Sequence, residues 1–288
     1  MLRKIIVGYD GSPAAGDALA WALDEADRTR APVELIHADD WPAWTPVGDP
    51  SSGSPPPDSS VVEVIGGMME RAITAAKRTH PMVDLSAKTV HAVPAQALID
   101  RSRRAALVVV GGRGHSAVAE LLGSVSSAVS AHAHCPVVVV RGSPASYAAV
   151  VAGVDDSLLA SPILDLAAAQ ASAHRVPLRV IRAWAPATSI WQDGKVTALE
   201  LMERERGPFD ALVTDLRDIH PNLKIEAEAL VEHPAAALTR ESAGARLVVV
   251  GSRGRGAVRG LVLGSVSQHL LRHSTCSVAV IHDTLMRA

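Results

Sequence analysis

Leu107-Val-Val-Val-Gly-Gly-Arg-Gly114 and Leu247-Val-Val-Val-Gly-Ser-Arg-Gly254 are nearly the same phrase written twice, at an offset of 140 residues. Each joins a run of apolar, mostly β-branched residues to a glycine-containing loop. The runs show no alternation of apolar and polar positions, so the strands they predict are buried on both faces, as in a parallel sheet covered by helices on either side. The two phrases therefore point to an α/β fold and to a duplication at once.

Working outward, the other matching blocks keep the same order. Ile6-Val-Gly-Tyr-Asp-Gly-Ser12 is echoed by Val151-Ala-Gly-Val-Asp-Asp-Ser157, which places Asp10 and Asp155 in register 145 residues apart. Leu122-Gly-Ser-Val-Ser126 returns as Leu263-Gly-Ser-Val-Ser267, and Cys135-Pro-Val-Val-Val-Val140 as Cys276-Ser-Val-Ala-Val-Ile281, both at an offset of 141. Solenoid repeats have periods of roughly 20–50 residues, so each copy here is a whole domain. The expected boundaries are 1–142 and 147–288, with Arg141-Gly-Ser-Pro-Ala-Ser146 between them as a linker.

Strands are expected at Lys4–Tyr9, Val33–Ala38, Leu85–His91, Leu107–Gly111 and Val137–Arg141. In the second copy they fall at Ala149–Val154, Leu178–Ala183, Lys224–Val231, Leu247–Gly251 and Val278–His282. Helices between them include Ala14–Thr29, Val61–His80, Ala95–Arg103 and Ser124–His132. The reading is two tandem five-stranded parallel-sheet α/β sandwiches of Rossmann-like type. Trp41–Ser60 is rich in Pro, Ser and Gly and is expected to be a long loop after the second strand, where the second copy has Ala185–Lys195.

Composition narrows the function classes. Hydrophobic residues make up 48% of the 288, but only 8 are aromatic, so the core is built from Ala, Val, Leu and Ile. A formal charge of -2 gives no global attraction to nucleic acid or to an anionic membrane. Two cysteines exclude a disulfide scaffold or a multi-cysteine zinc module and suit a reducing compartment. No apolar run approaches the roughly 18 residues of a membrane span, and the N-terminus lacks a cleavable leader pattern. A cytoplasmic location is expected. There is no Walker-type phosphate loop, no Gly-x-Ser-x-Gly elbow and no His-Glu-x-x-His. Nor is there a general base aimed at a terminal phosphate, so a binding module is favoured over an enzyme.

Ligands of open parallel sheets bind beyond the carboxyl ends of the strands. An Asp after strand one and a glycine loop after strand four both fall there, in each copy. Glycines admit the backbone to close contact, and a helix N-terminus offers unpaired N–H groups to an anion, which makes phosphate the natural guest. In the second copy the loop runs Gly251-Ser-Arg-Gly254, nine residues, then Gly264-Ser265-Val266-Ser267. Arg253, Arg255 and Arg259 supply positive charge, Ser265 and Ser267 hydroxyl donors. Asp155 stands where a carboxylate can accept from ribose hydroxyls. Other readings of these residues stand beside this one: the aspartates as helix caps, the glycines as plain turns. Trp41, Trp44, Trp184 and Trp191 either shield a base or pack against the loops. His132 and His134 beside Cys135 lack a second ligand cluster, so no metal site is expected.

At these residues the chain resembles the universal stress protein family, in its tandem form. Members that bind ATP carry Gly, two residues, Gly, nine residues, then Gly-Ser or Gly-Thr, and Gly251, Gly254, Gly264 and Ser265 match that spacing. The resemblance covers essentially the whole chain and implies strand order 3-2-1-4-5, the adenine nucleotide alpha hydrolase-like arrangement. It implies Asp155 as the adenosine-binding carboxylate, Ala183 as the backbone contact to adenine, and Gly251, Gly254, Gly264, Ser265, Val266 and Ser267 around ribose and phosphates. In the first copy the corresponding residues are Asp10, Ala38, Gly111, Gly114, Gly123, Ser124, Val125 and Ser126. ATP, alone or with Mg²⁺, is the expected ligand. The two halves are expected to pair as a pseudo-dimer through their last strands, and the chain to form a homodimer.

The first copy departs from the motif. Only eight residues separate Gly114 from Gly123, and they include His115 in place of Arg255 and the acidic Glu120. A one-residue deletion within a helix rotates everything beyond it by about 100°. Either the loop absorbs the deletion or the phosphate cradle is misaligned. The second site is expected to bind ATP more tightly.

Overall fold

The structure, a computed structural model, describes residues 3–39, 59–112, 122–142, 147–184, 198–254 and 263–283, side chains of 59–61 and 198–205 excepted. The chain divides into two compact units, residues 1–141 and 142–283, with 284–288 assigned to the first.

In the first unit, strands β1 (Lys4–Gly8), β2 (Val33–Asp39), β3 (Leu85–His91), β4 (Ala105–Gly111) and β5 (Val137–Val140) alternate with helices α1 (Pro13–Thr29), α2 (Ser59–Thr79), α3 (Pro94–Ser102) and α4 (Ser124–His132). All its strand pairs are parallel and run in the order β3-β2-β1-β4-β5. The second unit repeats the plan with β6 (Ala149–Gly153), β7 (Leu178–Ala183), β8 (Ile225–Leu230), β9 (Ala245–Gly251) and β10 (Ser277–Ile281). Its helices are α5 (Ala160–His174), α6 (Ala198–Ile219), α7 (Pro234–Ser242) and α8 (Ser265–His273). Its order is β8-β7-β6-β9-β10, again parallel. Strand order 3-2-1-4-5 therefore holds in both.

The unalternating runs behave as their composition demands. Val108, Val109 and Val110 in β4, and Val248, Val249 and Val250 in β9, are all buried, as is every residue of β5 and β10. Helices α1 and α5 end on Arg30 and Arg175, both left-handed, with φ of 57° and 53°. β4 and β9 begin two residues before the apolar run, at Ala105 and Ala245. Edge strands β3 and β8 have no buried residue and carry Lys88, Glu226 and Glu228, the charged dressing that keeps an open edge from recruiting another strand.

One pair of equivalent positions has opposite charge. In β2, Glu34 is 6% exposed and meets Lys4 at 3.2 Å and Lys88 at 3.3 Å. In β7 the same position is Arg179, which pairs with Glu226 at 3.8 Å, with Glu228 at 3.6 Å and with Glu241. Burial raises the pKa of the Glu34 carboxyl, but hydrogen bonds from Lys4 and Lys88 outweigh it and hold the group below the usual glutamate range.

Candidate functional site

In a parallel sheet of this order the ligand crevice falls at the carboxyl ends of the first and fourth strands, which are neighbours in both units. In the second unit β6 delivers Asp155 to its rim. Asp155 Oδ1 accepts the N–H of Ser157 at 3.0 Å, and Oδ2 faces the loop after β9. The approach there is very close: a Cβ built on Gly254 would lie 2.6 Å from that oxygen. Strands one and four are neighbours, which is why the carboxylate and the glycine loop meet. Gly264 lies against the same loop, where an added Cβ would stand 3.4 Å from the Ser252 oxygen and 3.5 Å from Cα of Arg253. Asp155, Gly251, Arg253, Gly254 and Gly264 are thus gathered in one place, with the Arg253 side chain exposed.

Asp10 occupies the equivalent position in the first unit and accepts the N–H of Ser12 at 2.9 Å. The aspartates shape the turn but are not the helix caps. Ser12 caps α1, its hydroxyl accepting from Ala15 N–H at 3.2 Å, and α5 has no side-chain cap.

Ala38 and Ala183 owe their position to strand length. The last bonds between strands one and two are Tyr9 N–H to the Ile36 carbonyl and Val154 N–H to the Ile181 carbonyl. Backbone groups two residues further along a strand point the same way. Ala38 and Ala183 therefore direct N–H and C=O toward the side where strand one has already ended, over the crevice. The next residues face the other neighbour: Ala92 N–H bonds to the Asp39 carbonyl, and Trp184 N–H to the Leu230 carbonyl.

The Gly-Ser helix starts are anchored alike in both units. Gly123 N–H bonds to the Gly112 carbonyl at 3.1 Å and Gly264 N–H to the Ser252 carbonyl at 2.7 Å. Ser126 donates its hydroxyl to the Gly111 carbonyl at 2.6 Å, and Ser267 does the same to Gly251 at 2.5 Å. Both hydroxyl hydrogens are thus committed to the strand ends. Ser124 and Ser265 are exposed at the first helical position, and neither α4 nor α8 has a side-chain cap on its opening N–H groups, leaving donors suited to an anion. Val125 and Val266 are half-buried beside them. The one-residue deletion in the first copy does not disturb this anchoring, so the length difference is taken up between Gly112 and Gly123.

Gly111 and Gly251 have a packing role. A Cβ on Gly111 would lie 2.7 Å from the backbone C and O of Ala14, and one on Gly251 would lie 2.9 Å from Leu159 Cδ1. Gly114, His115, Glu120, Arg255, Arg259, Trp41, Trp44 and Trp191, most of the Trp41–Ser60 segment, and Ser143–Ser146 of the linker lie outside the described residues. Trp184 follows β7 directly, with its indole Nε1 buried and without a hydrogen-bond partner. Among the described residues no group of three or more His, Cys, Asp or Glu could hold a metal ion. The ion pair between buried Arg182 and exposed Asp156, next to the second crevice in sequence, escaped the sequence reading; the paired departure from His37 and Gly11 of the first copy was the available signal.

A parallel sheet ordered 3-2-1-4-5, an Asp after its first strand and a glycine loop leading to an uncapped Gly-Ser helix start define an open-sheet α/β protein of Rossmann-like type, here built twice. The universal stress protein family model matches residues 1–141 and again 146–282, and the chain belongs to the universal stress protein family. A universal stress protein of Mycobacterium tuberculosis strain H37Rv is 32% identical over 295 residues, covering 98% of this chain and 97% of its own. One from Mycobacterium bovis is 29% identical and covers 97% of each. Among solved structures, a protein of unknown function from Pseudomonas aeruginosa PAO1 has a TM-score of 0.67 at 14% identity, covering 98% of this chain and 93% of its own. A universal stress protein from Archaeoglobus fulgidus has a TM-score of 0.60 at 19% identity, covering 97% and 98%. At these identities the structural likeness concerns the fold.

Proposed function

We propose that this universal stress protein is an ATP-binding module whose occupancy regulates its conformation or its associations in the cytoplasm. The observation that carries the reading is the meeting of Asp155 with Gly254. It sets a ribose acceptor against a backbone loop that leads into uncapped helix N–H groups. The alanine backbone at the end of β7 would take the adenine edge, Asp155 the ribose, and Gly254, Gly264 and Ser265 the phosphates. Asp10, Ala38, Gly123 and Ser124 would do the same in the first unit. Mg²⁺, where present, would be held through the phosphates.

The difference between the sites rests on charge in this reading, since both helix starts are anchored alike. Arg253, Arg255 and Arg259 accompany the second loop, whereas His115 and Glu120 accompany the first. Mass spectrometry of ligand released from purified protein tests the reading, with ATP the expected species. Titration calorimetry of Gly264→Ala and Gly123→Ala chains tests the asymmetry, with the larger loss expected from Gly264→Ala; equal losses refute it. A true ATP-dependent enzyme is the second reading, and single-turnover ADP formation separates the two, because rapid turnover is incompatible with a binding module. A homodimer is also expected, and light scattering on the full chain checks it.

A further inference from the structure

In the second unit, the residue after the crevice carboxylate and the residue before the crevice alanine are joined by a two-pronged ion pair. Arg182 Nη1 donates to Asp156 Oδ1 at 2.5 Å and Nη2 to Oδ2 at 2.7 Å. Arg182 is 4% exposed. Asp156 directly follows Asp155, and Arg182 directly precedes Ala183. The pair therefore spans the two groups that bracket the crevice on this side.

The first unit solves the same problem with other residues. Gly11 stands where Asp156 does, with a left-handed φ of 81°, and His37 stands where Arg182 does, its Nδ1 2.9 Å from the Tyr9 carbonyl oxygen. Asp156 is not left-handed, so the two loops differ in backbone as well as in side chain. Both positions differ between the units, and they differ as a pair. Asp156 brings a second carboxylate next to Asp155 in the sequence, and the buried Arg182 guanidinium holds and neutralises it.

With Arg182 buried and Asp156 exposed, the pair is weak evidence of stabilisation, because desolvating the guanidinium offsets much of the attraction. A planar guanidinium on both oxygens of a carboxylate does fix separation and orientation. Building on the nucleotide reading above, we propose that Arg182 and Asp156 are positioning residues. They hold the Asp155 carboxylate at a set distance from the Ala183 backbone and so determine the second site's affinity for the nucleoside part of its ligand. The loss on breaking the pair then falls equally on adenosine, AMP and ATP, which share the nucleoside. Variants of the glycine loop weigh more heavily on ATP.

The test is calorimetry with these three ligands on the full chain, in an Asp10→Ala background that silences the first site. Asp156→Asn and Arg182→Lys are each expected to weaken all three by a common factor, roughly tenfold, the order seen when a supporting side chain around a site is lost. The double variant Asp156→Gly/Arg182→His carries the first unit's pair and removes both charges together. It is expected to bind more weakly than the unaltered site and more tightly than the single variants. If the single variants do not fold, the double variant decides. Unchanged adenosine affinity in a folded variant, or a loss confined to ATP, overturns the positioning role while leaving the nucleotide reading intact. Failure of the Asp10→Ala chain to bind any of the three overturns both.

Discussion

Oδ2 of Asp155 lies only 2.6 Å from where a Cβ on Gly254 would be. Real Cβ atoms do not approach other atoms so closely, so the carboxylate and the loop share the crevice only while position 254 has no side chain. Gly254→Ala is therefore expected to push Asp155 aside and to weaken nucleotide binding at the second site by about tenfold or more. The melting temperature should change little, because the residue is exposed. Calorimetry paired with a thermal melt checks both halves of the statement.

The glycines one turn of the loop earlier make the opposite prediction. Gly111→Ala meets the Ala14 backbone at 2.7 Å, which cannot rotate away, whereas Gly251→Ala meets Leu159 Cδ1 at 2.9 Å and the Arg253 oxygen at 3.0 Å. Both should destabilise by about 1–3 kcal/mol, as overpacking does, with Gly111→Ala the worse. Urea unfolding of each variant measures the order.

Ser267 and Ser265 should separate stability from binding. Ser267→Ala removes the hydroxyl that donates to the Gly251 carbonyl and should cost about 1 kcal/mol of stability. Ser265→Ala alters an exposed residue at the helix start and should weaken nucleotide binding with the melt unmoved. The same contrast is expected between Ser126→Ala and Ser124→Ala, read by the same two assays.

Glu34 gives the acid side of the stability profile a defined contributor. Its carboxyl is held below the ordinary value through Lys4 and Lys88, so it binds protons less readily folded than unfolded. The stabilisation is complete above the unfolded pKa of about 4.3 and is lost as pH falls through the lower folded value. Glu34→Gln should cost about 1 kcal/mol near neutrality, screened by the half-exposed lysines, and nothing in strong acid. Unfolding free energies of both chains across that pH range should converge on acidification.

Cys135 is 2% exposed, and burial pushes its thiol up to about 12, against smaller opposing effects of a backbone hydrogen bond at Val108 and the charge of Arg3. Almost no thiolate exists at pH 8, so alkylation of Cys135 by iodoacetamide should be negligible in the folded chain and rapid in denaturant. Peptide mapping after timed labelling reads this out.

The duplication and the α/β class were legible, because buried parallel strands write themselves as unbroken apolar runs and their ends carry the glycines; the strand order, and with it the expectation that Asp155 meets the glycine loop, came from the family resemblance. Roles within the loop were less legible. Ser126 and Ser267 look like ligand donors in a motif, but their hydroxyls close on the carbonyls of Gly111 and Gly251, a fact of tertiary distance that spacing does not encode. Capping stood as the alternative role for the aspartates, but Ser12 holds that position on α1. The deletion before Gly123 offered two outcomes on paper, and only the hydrogen bond to Gly112 chooses between them. Ala38 and Ala183 gained a physical reason for their placement from register: strand one stops short of them.

The opposite charges at Glu34 and Arg179 bear on a hazard particular to chains made of two similar halves, in which a strand emerging from the ribosome finds the wrong sheet. Inserted into the second sheet, β2 would bring Glu34 up against Glu226, Glu228 and Glu241. Inserted into the first, β7 would bury a guanidinium beside Lys4 and Lys88. Either exchange places like charges in contact at a half-buried position, a repulsion that discriminates between otherwise compatible partners. These few side chains act as an address, letting each half recognise its own strands while the rest of the two sequences remains free to stay alike.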